Sequence, residues 1–417
     1  MTTDPYAALR VRPFQWFIVS MLSMTMVVQV QNVVLGWTVY QITRDPLALG
    51  LIGLAEVIPY VTVALFAGYV VDRVDRRRVS LVALSVLFTG SVALFGYAVA
   101  TPEPTRVWPY YAVIAVCGLA RAFLQVARSA LVSEIVPREL FTNAATWRSS
   151  TWQLGLVLGP ALGGLLLGWL GMRATLGVTV VLAIVSFSAM AAIRHRPTPL
   201  DPGKASVLEN LAEGLRFLRV NRVILAALTL DLVAVLFGGA VALMPVFASD
   251  ILHVGPRGMG LLQGAPGAGA VLMALYLAHR RPFRRAGRTL LVAVAVFGVC
   301  IIGFGFSRHF GVSLALLFVS GAADNISAVI RSTMIQVLVP PAMLGRISAV
   351  NAIFIGSSNE LGAFESGVAA RLLGAVPAVV LGGIVALGTV GVTAWKVPVL
   401  RTLGAIQPDE AGRPASS

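Results

Sequence analysis

The sequence predicts an all-α integral membrane protein of twelve transmembrane helices, built as two repeated six-helix halves. Three observations carry that reading. The 417 residues are 57% hydrophobic and only 12% charged, with a mean hydropathy of +0.85, which is more apolar than a water-soluble chain sustains. Apolar runs recur at about the 20-residue length that crosses a bilayer core as a helix. Finally, residues 118–171 match residues 321–374 without gaps at a constant offset of 203.

Taken in order, the predicted spans cover 15–40, 47–71, 79–100, 109–132, 142–169, 173–193, 223–248, 257–278, 288–306, 311–337, 346–371 and 376–396. The first is a full-length span carrying Gln29, Gln31 and Asn32, with no small-residue cleavage site, so it reads as a retained helix and not a signal peptide. Of the alternate loops, one set holds Arg73, Arg76, Arg77, Arg78, Arg138, Arg194 and Arg196, then Arg280, Arg281, Arg284 and Arg285, together with both termini. The positive-inside rule makes that set cytoplasmic. The net charge of +14 is therefore a topology signal and not a sign of nucleic-acid binding. Cys117 and Cys300 both fall in apolar runs, where they are packing residues and support neither a disulfide framework nor a metal site.

These spans divide the chain into a first half (1–193), a cytoplasmic linker (194–222), a second half (223–396) and a cytoplasmic tail (397–417). The linker opens on Pro197 and Pro199, which stop the sixth span. Ser206 to Glu209 then reads as a capping box, and Leu208, Leu211, Leu215 and Leu218 share one face of the helix that follows, predicted to lie on the inner membrane surface. In the repeat Gly118 corresponds to Gly321, Arg128 to Arg331, Gly159 to Gly362, Gly164 to Gly367 and Gly171 to Gly374.

Ionisable side chains inside a bilayer are costly, so their positions mark function. Glu56 falls in span 2, Arg121 and Arg128 in span 4, Asp231 in span 7, Asp324 and Arg331 in span 10, and Glu360 and Glu365 in span 11. Spans 3, 6, 9 and 12 hold none away from their end residues, which predicts that every third helix is a lipid-facing support. At 1.5 Å per residue, Arg121, Asp324 and Glu360 lie near mid-depth, with Asp231 nearer the cytoplasm and Glu56 nearer the outside. Arg121 and Asp324 are repeat mates and are expected to form a charge pair, or to share a ligand, in at least one state; the alternative is a purely structural pair. Arg128 and Arg331 lie about two turns further toward the cytoplasm and read as gate or capping residues. Glu360 and Glu365, five positions apart, point to different faces, one of them into the bundle. Asp231, Glu360 and Asp324 are the candidates for carrying a proton, because a buried carboxyl is costly to ionise. Pairing with Arg121 would make Asp324 the poorer candidate. Asp231 has an equally good structural reading, satisfied by neighbouring hydroxyls such as that of Thr229. Glu56, Glu365 and Asn32 complete the candidate substrate and coupling residues.

The stretch Gly68-Tyr69-Val70-Val71-Asp72-Arg73-Val74-Asp75-Arg76-Arg77-Arg78 resembles the signature of the major facilitator superfamily between its second and third helices. The resemblance implies a cytoplasmic gate built from Gly68, Asp72, Arg73, Arg76 and Arg77, with Glu134 as an acidic partner and Asp72 capping a neighbouring helix. The corresponding loop of the second half keeps the bases Arg280, Arg281, Arg284 and Arg285 but has no Asp. In span 5, Gly155, Gly159, Pro160, Gly163 and Gly164 reproduce the Gly-rich pattern of exporters in the same superfamily that exchange substrate for protons. The phrases Glu213-Gly214-Leu215-Arg216-Phe217-Leu218 and Pro341-Ala342-Met343-Leu344-Gly345-Arg346-Ile347 are similar to the enterobactin-exporter branch. That branch implies efflux of siderophores or amphiphilic drugs. Glu360 and Glu365 depart from it, which leaves the substrate open.

Soluble catalysis is poorly supported, since the chain has no phosphate-cradling Gly-rich loop ending in Lys and no His-Glu-x-x-His motif. The expectation is a non-enzymatic secondary transporter in the bacterial inner membrane. It moves a siderophore or amphiphilic small molecule outward by alternating access, uses the proton gradient and no cofactor or metal, and works as a monomer without nucleic acid. The alternative on the same fold is uptake or facilitated diffusion of a small nutrient.

Overall fold

The computed structural model describes residues 4–71, 73–194, 207–280, 283–402 and 404. The first half comprises α1 (Arg12–Thr43), α2 (Pro46–Val71), α3 (Arg76–Ala100), α4 (Trp108–Ile135) and α5 (Phe141–Ala192). There follow α6 (Val207–Val220), α7 (Arg222–Phe237), the short α8 (Met244–Val246), α9 (Gly255–Ala278), α10 (Ala286–Phe306), α11 (Phe310–Leu338), α12 (Pro341–Leu373), α13 (Ala375–Lys396) and α14 (Pro398–Thr402). Among the described residues ten helices are long and apolar enough to cross a membrane. One of these ten is folded into two spans within α5, and α12, made more polar by Glu360 and Glu365, supplies the last. The spans are therefore twelve.

The fold in α5 lies at Gly171, whose φ of 76° and ψ of 176° interrupt the helix. Its repeat mate Gly374, at φ 91° and ψ 156°, separates α12 from α13. Positive φ is strained for a residue with a Cβ, so the same backbone corner is written into both copies by the same residue. Spans 3, 6, 9 and 12 carry exposed aliphatics such as Val82, Val181, Val292 and Ile384, but so do span 2 at Ile58 and Val61 and span 8 at Leu272 and Leu275, so exposure does not single out every third helix.

Span 7 departs from the continuous helix expected. Helix α7 ends at Phe237, and after Gly238 and Gly239 the chain runs through a 3₁₀ turn at Ala240–Leu243, α8, and a π-helical turn at Phe247–Ile251. Two consecutive glycines weaken the helix, and Pro245 removes a backbone donor nearly two turns later. The Ser366 hydroxyl of α12 donates to the Gly239 carbonyl at 3.4 Å, serving one backbone acceptor freed by the break.

The chain forms two compact units. The first contains residues 1–204 and 245–264, and the second 205–244 and 265–417. In the first, α1 packs along α5, and α4 lies against α2 and α3. One core gathers Phe14, Phe17, Leu84, Leu131 and Met190. In the second, α10 packs on α11 and α13, and α7 on α12 and α13. The amphipathic helix α6 docks on α12: Leu218 is buried in a cluster with Ile347 and Val350, and Glu213 pairs with Arg346 at 2.8 Å. Part of its apolar stripe is thus covered by protein. Ser206 of the expected capping box lies outside the described residues.

Candidate substrate and coupling site

In the first unit Arg121 of α4 forms an ion pair with Glu56 of α2, Nη1 to Oε1 at 2.5 Å, with side chains 22% and 14% exposed. A small residue makes the approach possible. A Cβ at Gly118 would stand 2.7 Å from the Glu56 carbonyl oxygen, so only glycine lets α2 come this close. One turn further along, the Tyr60 hydroxyl donates to Gln125 Oε1 at 2.9 Å and ties the same two helices. Gln31 of α1 donates to Ser91 of α3 and Thr179 of α5 at 2.9 and 3.3 Å. A pocket beside it is lined by Gln31, Asn32, Leu94, Ile114, Cys117 and Arg121. Its volume of about 20 Å³ admits little more than a water molecule, so this mixed apolar and polar lining does not by itself form a chamber for a substrate.

In the second unit the pairing is different. Arg331 of α11 is ion-paired and hydrogen-bonded to Asp231 of α7, with the two side chains 7% and 9% exposed. Asp324 lies within electrostatic reach of both. The partner of Asp231 is therefore a guanidinium and not the Thr229 hydroxyl. Arg128, repeat mate of Arg331, meets no carboxylate among the described residues: its Nη2 donates to the Ser20 carbonyl of α1 at 3.3 Å. Glu360 and Glu365 are half-buried on α12.

At the expected cytoplasmic gate, Arg76 pairs with Glu134 of α4 at 2.6 Å, the acidic partner anticipated. Arg77 donates to the Ala191 carbonyl at the C-terminal end of α5 at 2.5 Å, where the helix dipole favours a cation. Arg73 folds back over the Tyr69 ring, 3.5 Å from its centroid. Gly68 is partly buried on α2. Asp72 lies outside the described residues; the N-cap of α3 is Asp75, which accepts from the amides of Arg77 and Arg78 at 2.8 and 3.3 Å.

The Gly-rich face of α5 is a contact surface. A Cβ at Gly155, Gly159 or Gly163 would run into Thr25, Gln29 or Val30 of α1, and one at Gly164 would lie 2.6 Å from Gly260 Cα and from the Pro256 carbonyl of α9. Pro160 belongs to the same surface: a Cβ on Gly260 would meet its carbonyl at 2.5 Å.

Sequence reasoning did not find the cluster at the end of α1. Arg44 Nη1 contacts Asp250 at 3.1 Å and Ser249 at 3.0 Å, and the Tyr40 hydroxyl donates to the same aspartate. The π-helical turn at Phe247–Ile251 presents both partners. Loop-end charges look like solvated residues in sequence, and the only cue was the Pro245 that disturbs the helix before them.

Comparison with known proteins agrees with this architecture. The model of the Major Facilitator Superfamily matches residues 17–363. The multidrug efflux pump Tap of Mycolicibacterium fortuitum is 27% identical over 380 residues, which cover 88% of this chain and 91% of that protein. The enterobactin exporter EntS of Shigella flexneri is 27% identical over 287 residues, 68% and 67% of the two chains. An auto-inhibited peptide transporter of the POT family shares the fold at a TM-score of 0.71 and 12% identity, covering 97% of this chain and 99% of that one. With its twelve spans in two six-helix halves, the chain is a multi-pass membrane transporter, not an enzyme, and it belongs to the Major Facilitator Superfamily.

Proposed function

We propose that the protein is a proton-coupled exporter of an amphiphilic small molecule, a siderophore or a drug, working by alternating access in the bacterial inner membrane with both termini in the cytoplasm. The observation that carries the reading is the buried pair Asp231–Arg331 with Asp324 beside it. A carboxylate in excess of its counter-charge is expensive inside a bilayer and is tolerated where it trades protons or ligands. Efflux as the direction is supported by two relatives, a multidrug efflux pump and an enterobactin exporter. The substrate class, a drug or a siderophore, is supported by the same two relatives. Arg76 with Glu134 serves as the cytoplasmic gate, and the Gly155–Gly164 face of α5 as its close-packed slide.

The test is transport in inverted membrane vesicles carrying an imposed pH gradient, followed with a fluorescent amphiphilic dye. Accumulation that collapses with the gradient is expected. Accumulation indifferent to the gradient refutes proton coupling, and uptake by whole cells against a gradient refutes efflux. Asp231→Asn and Glu360→Gln should each lose gradient-driven movement while keeping dye binding.

A further inference from the structure

Helix α11 carries several polar groups that the bundle does not satisfy. Ser327 is 1% exposed, and its hydroxyl has no hydrogen-bond partner among the described residues; the same holds for Asn325 Oδ1 and Arg331 Nε. A hydroxyl on a helix ordinarily bonds a carbonyl one turn back. Three other hydroxyls of this helix do so, Ser320 to Leu317 at 2.7 Å, Ser332 to Val329 at 2.9 Å and Thr333 to Val329 at 2.8 Å, and the fourth, Ser313, donates to the Ser307 hydroxyl at 2.9 Å. Ser327 is the exception, and its place on the helix is informative. At 100° per residue, Asp324, Ser327 and Arg331 fall within an arc of roughly 60°, and Ser327 stands about one turn from each of the other two. Side chains on a helix lean toward its N-terminus, so the long Arg331 side chain runs back along this face toward Ser327 and Asp324 while Asp231 holds it from α7. The repeat mate of Ser327 is Leu124, so the device belongs to the second half alone.

We propose that Asp231, Asp324, Ser327 and Arg331 form a store for a single proton, in which the Ser327 hydroxyl passes the proton between the two carboxylates. The charge count sets the occupancy. One guanidinium balances one carboxylate, so the group is neutral with one proton bound and carries a full negative charge without it, a state the bilayer penalises. In the transfer, the O–H bond of the protonated Asp324 breaks as a new one forms at Ser327 Oγ. The original Ser327 O–H bond breaks in concert, and its proton goes to the Asp231 carboxylate. Arg331 keeps its charge throughout and moves its ion pair from Asp231 to the newly ionised Asp324. Among the described side chains, the elements packed against α7 and α11 bring Glu213, Arg216 and Arg219 on α6, Arg346, Glu360, Glu365 and Arg371 on α12, Arg288 at the start of α10, Lys396 at the end of α13 and Arg401 on α14 as the other charged groups.

The inference rests on the proton coupling proposed above, and the experiment separates the two. Purified full-length protein in proteoliposomes is assayed with an amphiphilic dye in two modes, transport driven by a pH gradient and gradient-free exchange of dye. Asp324→Asn is expected to abolish driven transport and leave exchange intact. Ser327→Ala should slow driven transport about a hundredfold and shift its pH profile, the loss typical of a positioned proton donor. Ser327→Thr, which restores a hydroxyl, should recover it, and Ser320→Ala should behave as wild type. Driven transport at wild-type rate in Ser327→Ala or Asp324→Asn, or a Ser327→Thr no better than Ser327→Ala, overturns the proton store. Wild-type protein that ignores the gradient overturns proton coupling and the store with it.

Discussion

Removing the Asp231 carboxylate tests how the second unit pays for its buried arginine. With both partners under 10% exposed, stripping one of them leaves a charge with neither water nor counter-ion, which costs about 3–5 kcal/mol in buried pairs. Hydrogen bonds in membrane proteins average only about 0.6 kcal/mol because the unfolded chain finds other partners in the bilayer. The larger figure governs here, since Arg331 stays charged and no neutral partner replaces a carboxylate. Asp324 softens the loss: it lies on the same helix face, and a charged hydrogen bond to it returns about 1.5–3 kcal/mol. Asp231→Ala alone is therefore expected to destabilise by about 2 kcal/mol, and Asp231→Ala with Asp324→Ala by the full 3–5 kcal/mol or so. Asp231→Ala combined with Arg331→Met removes both charges and should return to within about 1 kcal/mol of wild type. Unfolding of the purified variants in detergent measures all of these. If Asp231→Ala is as stable as wild type, or if adding Arg331→Met gives no recovery, the pair does not hold α7 to α11 as argued.

Other perturbations address separate parts of the molecule. Gly164→Leu places a branched side chain where even a Cβ lies 2.6 Å from Gly260; normal membrane insertion with transport lost is expected, read by dye efflux at matched protein levels. Gly118→Val forces α2 away from α4 by way of the Glu56 carbonyl, and should cost more than about 2 kcal/mol by overpacking while loosening the Arg121–Glu56 pair; thermal unfolding in detergent checks it. Tyr40→Phe and Asp250→Asn each remove a bond from the turn at Phe247–Ile251, and hydrogen exchange of residues 247–254 should quicken in both, with little change elsewhere. Glu134→Gln discharges the partner of Arg76, 4% exposed; the expected result is slower dye turnover with unchanged dye affinity, and a change confined to affinity would remove it from the gate.

Much of the architecture is legible in one dimension. Hydropathy over bilayer-length windows marks the spans because lipid imposes that length, and the offset of 203 announces the duplication that reappears as matching corners at Gly171 and Gly374. The existence of Glu56, Arg121, Asp231, Asp324 and Arg331 inside the membrane is equally plain, and so is the basic cluster that offers Arg76 to Glu134. Which charge meets which is a different matter. Arg121 forms its ion pair with Glu56, 65 positions away, and Arg331 with Asp231, 100 positions away, because partner choice depends on the rotation of each helix about its axis and on how near a neighbour lies. Gly118 sets that nearness for α2, and nothing in the local pattern around Glu56 reports it. The interruption of α7 and the attachment of residues 245–264 to the first unit are likewise tertiary decisions. A Gly-Gly-to-Pro segment permits a break, but only the packing against α12 and the polar contacts of Asp250 with α1 select the broken form. Span number and charge content follow from the solvent the chain must match, whereas the pairing of those charges follows from helix contacts that only the folded chain contains.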